Sequence, residues 1–164
     1  MPWCRGTFSK CVKLLGMSNK ISQEQTELWR EFIFCHANLI GQLERELKHQ
    51  NAISPLWYDV LVTLWKQPQK RMMLSQLADA VILSRCTLSR VVDRLEKENY
   101  LRREHCPDDG RCLYAVLTET GITAMRKAWP HYRRILHQHL FAKLSDDDQQ
   151  QLSRILDKLN QAAE

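Results

Sequence analysis

Along most of this chain apolar residues return every three or four positions, the spacing that keeps one side of an α-helix continuously apolar. From Ile21 to about Gln50, Leu28, Phe32, Leu39, Leu43 and Leu47 hold that spacing and predict one long helix. A second helix is expected from Ser54-Pro55, where a hydroxyl cap precedes a proline at the first helical position. Leu56, Val60, Leu61, Leu64 and Trp65 lie on its apolar side, and Gln67-Pro68 stops it. Arg71 to Leu74 reads as a short extended stretch, after which Ser75 is positioned to cap a short helix, SQLADAVI, with Leu77, Ala78 and Val81 facing inward. Leu83 and Ser84 make a tight connection, and Ser84 is the expected cap of the next helix, RCTLSRVVDRLEKEN. Its Leu88, Val91, Val92 and Leu95 fall at i, i+3, i+4 and i+7 and leave a polar outer face.

The periodicity then changes. Leu101–Cys106 and Cys112–Leu117 are short strand-like runs, and PDDGR between them combines three residue types that favour tight reversal, so a β-hairpin is predicted. Thr118 is the expected cap of a long helix reaching about Lys143, with Glu119 in its first turn, a stripe of Ile122, Met125, Trp129, Tyr132, Leu136 and Leu140, and a kink at Pro130. Ser145-Asp146-Asp147-Asp148 opens a last helix carrying Leu152, Ile155, Leu156 and Leu159. Short helix, tight turn, second helix and hairpin, in that order, make a winged helix-turn-helix. The fold class expected is mainly α with a small β-hairpin wing, flanked by N- and C-terminal dimerisation helices. Residues 1–20 read as a basic, disordered extension, 21–53 as a dimerisation helix, 54–118 as a winged helix-turn-helix DNA-binding domain and 119–164 as C-terminal dimerisation helices.

With 164 residues, the chain is long enough for one module with helical extensions and too short for two independent domains of ordinary size. Its net charge of +5 adds little, because Arg5, Lys10, Lys13 and Lys20 in the acid-free first twenty residues leave the remainder nearly balanced. An argument for a nucleic-acid partner must therefore rest on local geometry. No apolar run has the length of a membrane span, and the basic start lacks a continuous apolar stretch with a small-residue cleavage site, so a cytoplasmic protein is expected. Met17 offers a second start, which makes the first 16 residues an upstream extension in this reading. The cysteines at 4, 11, 35, 86, 106 and 112 form no close-spaced pairs of zinc-site type and are expected to be mostly free thiols.

A helix of about 15 residues enters a DNA major groove when one side is anchored by core residues and the other offers small and donor-rich side chains. The predicted helix from Arg85 meets both demands. Ser84, Arg85, Thr87, Ser89, Arg90 and Arg94 supply short hydroxyls for close approach and guanidiniums for guanine edges or phosphates. In the hairpin, Gly110 frees the tip, Arg111 is placed for the narrow minor groove, and Asp109 is placed to hold its guanidinium.

The run LSQLADAVILSRCTLSRVVDRLEKENYLRRE, the wing CPDDGRCLYAVLTETG and the flanking helices together resemble the MarR family of winged helix-turn-helix regulators over Ile21 to Ala163. The resemblance implies a transcriptional repressor that binds pseudo-palindromic double-stranded DNA as a homodimer. Its recognition helix, with Ser84, Arg85, Thr87, Ser89, Arg90 and Arg94, enters the major groove, and its wing, with Asp109 and Arg111, enters the minor groove. It also implies release by a small aromatic or anionic effector held between the helical region and the winged domain, for which Trp29, His36, Trp57, Tyr58 and Trp65 are the candidate contacts.

Independently of the resemblance, Trp29, Phe32, Phe34, Trp129, Tyr132 and Leu156 add more apolar surface than a small module can cover, and so call for a partner surface. A rival switch is thiol oxidation at Cys86, which sits in the recognition helix, at Cys106 and Cys112, which flank the wing, or at Cys35. A winged-helix adaptor for protein assembly is a further alternative. His105, Cys106, Cys112, Cys35 and His36 form no recognised metal spacing, no cofactor is expected, and no nucleophile–base pair, phosphate loop or paired catalytic carboxylates mark an enzyme.

Overall fold

The computed structural model describes residues 21–81, 83–105 and 112–161. The elements are α1 (Gln23–His49), α2 (Pro55–Trp65), β1 (Arg71–Met73), α3 (Leu74–Ala80), α4 (Arg85–Lys97), β2 (Leu101–His105), β3 (Leu113–Leu117), α5 (Glu119–His139) and α6 (Asp146–Gln161), with 3-10 turns at Pro68–Lys70 and Phe141–Lys143. By packing the chain divides into two units, Met1–Asn38 and Leu39–Glu164. Among the described residues no helix is long and apolar enough to cross a membrane.

Local chemistry explains where most elements begin. Ser54 is extended and its hydroxyl accepts from Trp57 N at 3.3 Å, with Pro55 opening α2. Thr118 caps α5 by accepting from Gly121 N at 3.1 Å. Ser145 and Asp148 form a reciprocal box at α6: Asp148 N donates to Ser145 Oγ at 3.2 Å while Ser145 N donates to Asp148 Oδ2 at 2.9 Å. The hydrogen bonds from Ser145 hold the Asp148 carboxyl below its usual pKa.

Two of the boundaries that differ from those read in the sequence have a direct structural cause. Ser75 does not cap α3: β1 is paired through Met73↔Tyr114 and passes directly into the helix, so Leu74 is its first residue and Met73 its uncapped N-terminus. The long helix expected to reach Lys143 ends at His139, because Leu140 leaves the helical region at φ −124°, ψ −71° and a 3-10 turn follows. Pro130 lies inside α5, which continues beyond it.

The Arg71–Met73 stretch is a full sheet member. The order is β1-β3-β2, with both neighbours antiparallel to the central β3; registers run from Arg71↔Val116 to Met73↔Tyr114 and from Leu101↔Leu117 to His105↔Leu113. β3 contributes Ala115 and Leu117 to the main core, where Val60, Leu61 and Leu64 of α2, Leu77 of α3, Val92 and Leu95 of α4 and Ile122 of α5 converge, and Val116 between them is buried as well. A smaller cluster joins Leu43 and Leu47 of α1 to Ile135 of α5. By contrast α6 buries no residue, and Leu152, Ile155, Leu156 and Leu159 stand exposed on it. In the first unit Leu28, Trp29, Phe32, Ile33 and Phe34 are likewise exposed, with Trp29 and Phe32 stacked at 6.1 Å.

Candidate nucleic-acid interface

The turn between α3 and α4 is closed by its own backbone: Val81 N donates to Leu77 O at 3.1 Å and Leu83 N to Ala78 O at 3.0 Å. Ser84 then starts α4 in an extended conformation, its hydroxyl accepting from Thr87 N at 3.2 Å and sharing a hydrogen bond with Thr87 Oγ1 at 2.8 Å. These two hydroxyls, read in the sequence as groove-facing, are engaged with each other at the helix start. Such a cap contributes about 1 kcal/mol to helix stability.

Leu88, Val91, Val92 and Leu95 are buried and fix the rotation of α4 about its axis. Helical geometry then sets Cys86, Arg90, Asp93 and Lys97 along one outward stripe, with Arg85 and Ser89 on one flank and Thr87 and Arg94 on the other. All eight are exposed. Lys97 belongs to this stripe although its spacing from Arg90, one period beyond the six residues singled out in the sequence, was the available signal. Asp109 and Arg111 of the wing tip, and Cys106, lie outside the described residues.

A second group that sequence reading did not single out joins α4 to the wing strand. The Arg103 guanidinium in β2 reaches Asp93 at 2.5 Å and also pairs with Glu96, while Arg103 N donates to Glu96 Oε1 at 3.0 Å. Partial burial disfavours the Arg103 charge, but its hydrogen bond to Asp93 and the adjacent Glu96 carboxylate outweigh it and raise the pKa. The signal was two acids at i, i+3 on one helix followed by an arginine in the next strand; only the turn at Asn99, in the left-handed region at φ 57°, brings them together. On the same strand Arg102 pairs with Glu104 at 2.6 Å.

Within the second unit, the aromatic residues considered as effector contacts make separate ring contacts. Trp57 meets the Tyr100 ring edge-on at 6.0 Å, whereas Tyr58 stacks on Tyr132 at 4.7 Å and on Trp129 at 6.3 Å. Trp65 is half exposed, and Trp29 and His36 belong to the first unit. An open depression of about 530 Å³ lined by Glu44, Lys48, Asn51, Ala52 and Ser54 contains none of the five. Tyr132, counted in the sequence among the apolar groups awaiting a partner, is already packed within its own chain beside Ile135.

Burial, with Asp59 and Tyr58 nearby, pushes the Tyr132 phenol up to about 12, and burial followed by Asp59 raises Tyr58 as well. A phenol whose pKa is higher in the folded than in the unfolded chain adds stability that is complete below the unfolded value of 10.0 and is lost as pH rises through about 12. Chemical denaturation at a series of alkaline pH values is expected to show a shallower loss of stability over that window in Tyr132→Phe than in the parent. Equal slopes would refute this.

Of the cysteines proposed as redox groups, Cys35 and Cys86 are exposed free thiols and Cys112 is half-buried beside β3. Among the described residues no three His, Cys, Asp or Glu side chains come together as a metal site.

Comparison with known proteins places this architecture. Residues 53–113, from the start of α2 to the start of β3, match the family model described as "MarR family". Over 132 residues the chain is 33% identical to the Transcriptional repressor MprA of Escherichia coli, covering 80% of this chain and 74% of that protein. AbsC, a MarR family transcriptional regulator from Streptomyces coelicolor, superposes with a TM-score of 0.80 at 32% identity over 89% of this chain and 98% of its own. Sco3205, a MarR family transcriptional regulator from the same organism solved in complex with DNA, gives a TM-score of 0.82 at 29% identity over 90% and 92%. With a winged helix-turn-helix core, a relative of this identity and coverage, and neighbours that share the fold along nearly their full length, the chain belongs to the MarR family of transcriptional regulators.

Proposed function

We propose that this protein is a repressor that binds pseudo-palindromic double-stranded DNA as a homodimer and is released by a small aromatic or anionic effector. The observation that carries the reading is α4 itself, a capped helix locked in rotation by four buried residues and carrying Arg85, Arg90 and Arg94 outward. The named function of the Escherichia coli relative and the DNA complex of Sco3205 support it. In this reading α4 enters the major groove through Ser84, Arg85, Thr87, Ser89, Arg90 and Arg94, while Asp109 and Arg111 carry the wing to the minor groove. Residues 54–118 form the DNA-binding domain.

The exposed apolar faces of α6 and of the first half of α1 support dimerisation through 21–53 and 119–164. Symmetry then sets the two recognition helices about one helical turn, roughly 34–36 Å, apart on the duplex. The effector contacts proposed are Trp29, His36, Trp57, Tyr58 and Trp65, whose rings suit a flat aromatic or anionic molecule.

Selecting bound fragments from the source genome with purified protein tests the reading and yields a duplex for titration. On that duplex Arg90→Ala is expected to weaken binding by about tenfold or more, the cost of one arginine–base contact, and less on a scrambled duplex. Arg111→Ala is expected to weaken both and to reduce the slope of log K against log salt by about 0.9 or less, the release from one phosphate. Parental affinity in both variants at every salt concentration would defeat the assignment.

A further inference from the structure

Between the arginines of α4 stands an obstacle to the DNA reading. Asp93 lies on the same outward stripe as Arg90 and Lys97, and Glu96 is at its edge, so two carboxylates sit on the element that is to approach a polyphosphate. Unpaired, they repel the duplex at the point of closest approach. Both are instead held by one side chain from the neighbouring strand: the Arg103 guanidinium, 23% exposed, pairs with Asp93 at 2.5 Å and with Glu96, and its backbone N–H holds Glu96 Oε1 at 3.0 Å.

We infer that Arg103 is a positioning residue for DNA recognition, a clamp that neutralises the two acids of α4 and at the same time fixes the angle between α4 and the strand leading to the wing. This rests on the reading that α4 and the wing are the DNA-binding elements.

Three features of the geometry argue for a clamp and against an incidental surface pair. A guanidinium presents its donors in a flat, rigid fork, and here the two sides of the fork take two carboxylates from consecutive turns of one helix, so both the distance and the twist between helix and strand are fixed. The backbone contact adds a third point that rotation of the Arg103 side chain does not release. Arg103 is also mid-strand, opposite Ala115 of the central β3, two residues beyond the buried Leu101 and two before His105, the last residue of the strand. It thus ties to α4 the part of β2 that projects beyond the core. Arg102, its neighbour on the opposite face, pairs with Glu104 of its own strand and, among the described residues, forms no ion pair with α4.

Because Asp93 is largely exposed, the clamp contributes little to global stability, and its effect belongs to binding. The test is a cycle of variants titrated against a duplex selected from genomic fragments and against a scrambled duplex of the same composition. Arg103→Gln removes the clamp from the strand side, and Asp93→Asn/Glu96→Gln removes it from the helix side. Each is expected to weaken binding to the selected duplex by about tenfold or more, and the combined variant to lose no more than about twofold beyond the weaker of the two, since a tether is broken equally from either end. Circular dichroism and thermal midpoint identify any variant that fails to fold. If Arg103→Gln does, Arg103→Lys, which retains the charge but not the fork, takes its place, with a loss expected on the selected duplex.

Two results would overturn the inference. One is parental affinity in folded Arg103→Gln. The other is weakened binding in Arg103→Gln alongside equal or tighter binding in Asp93→Asn/Glu96→Gln, which would reduce Arg103 to a source of positive charge and remove its positioning role. Failure of the parent protein to bind any duplex at low salt would instead bring down the DNA reading itself.

Discussion

Gly121→Ala is expected to lower the thermal midpoint by about 4–8 °C, against the ordinary expectation for glycine replaced inside a helix. Alanine in a helix interior normally gains about 1 kcal/mol over glycine. Here a Cβ at position 121 would lie 2.2 Å from the Tyr100 carbonyl oxygen and 2.8 Å from Leu117 Cδ1. The first obstacle is backbone, and it is pinned: Thr118 N donates to Tyr100 O at 3.2 Å, Thr118 Oγ1 donates to Asn99 O at 2.6 Å, and Tyr100 N is bonded to Leu95 O at 2.9 Å. The start of α5 and the end of α4 must therefore separate or shift. Such overpacking costs about 1–3 kcal/mol and occasionally more, and at the upper end it outweighs the propensity gain. At roughly 2–4 °C per kcal/mol for a chain of this size, an overpacking cost of about 3 kcal/mol less the gain of about 1 kcal/mol leaves about 2 kcal/mol, which corresponds to the stated shift. Thermal unfolding followed by circular dichroism measures it directly, and an unchanged or raised midpoint would mean that the turn at Asn99-Tyr100 moves aside freely.

The second large effect concerns assembly. Ile155→Glu/Leu159→Glu adds two charges to a face of α6 on which these side chains are 54% and 61% exposed in the single chain. With no burial to lose within the protomer, helix content should be retained. If that face is the homodimer surface, burying two unpaired carboxylates there is prohibitive, and the variant is expected to sediment as a monomer. A monomer presents one recognition helix instead of two, and losing the second arm of a bivalent contact costs about 100-fold or more in apparent affinity for a two-half-site duplex. Sedimentation velocity and duplex titration on the same preparation report both outcomes. A variant that remains dimeric with parental affinity would remove α6 from the interface.

These two sites differ in how far the linear sequence exposes them. The apolar stripe Leu152, Ile155, Leu156, Leu159 is visible as periodicity, because a helix turns every 3.6 residues whatever surrounds it. That the stripe lacks cover within the protomer is not visible, since burial depends on residues distant in the chain; Tyr132, read in the same way, is covered by Tyr58 of α2. Gly121 was legible only as part of a motif. Its steric need comes from Tyr100, which β2 and β3 must first bring alongside.

The helix-turn-helix order, the caps at Ser54, Ser84 and Thr118, and the rotation of α4 are all local consequences of spacing and side-chain chemistry, and they follow from the residue order. Long-range pairing set the remaining features. Arg71–Met73 becomes a third strand because β3 has a free edge, and that pairing in turn moves the start of α3 to Leu74. The two acids of α4 likewise acquire Arg103 from the following strand. Helix periodicity and capping act over about four residues and are written in the order of the chain. Sheet edges and ion pairs join segments whose distance depends on every turn between them, so they take their form only when the core has closed.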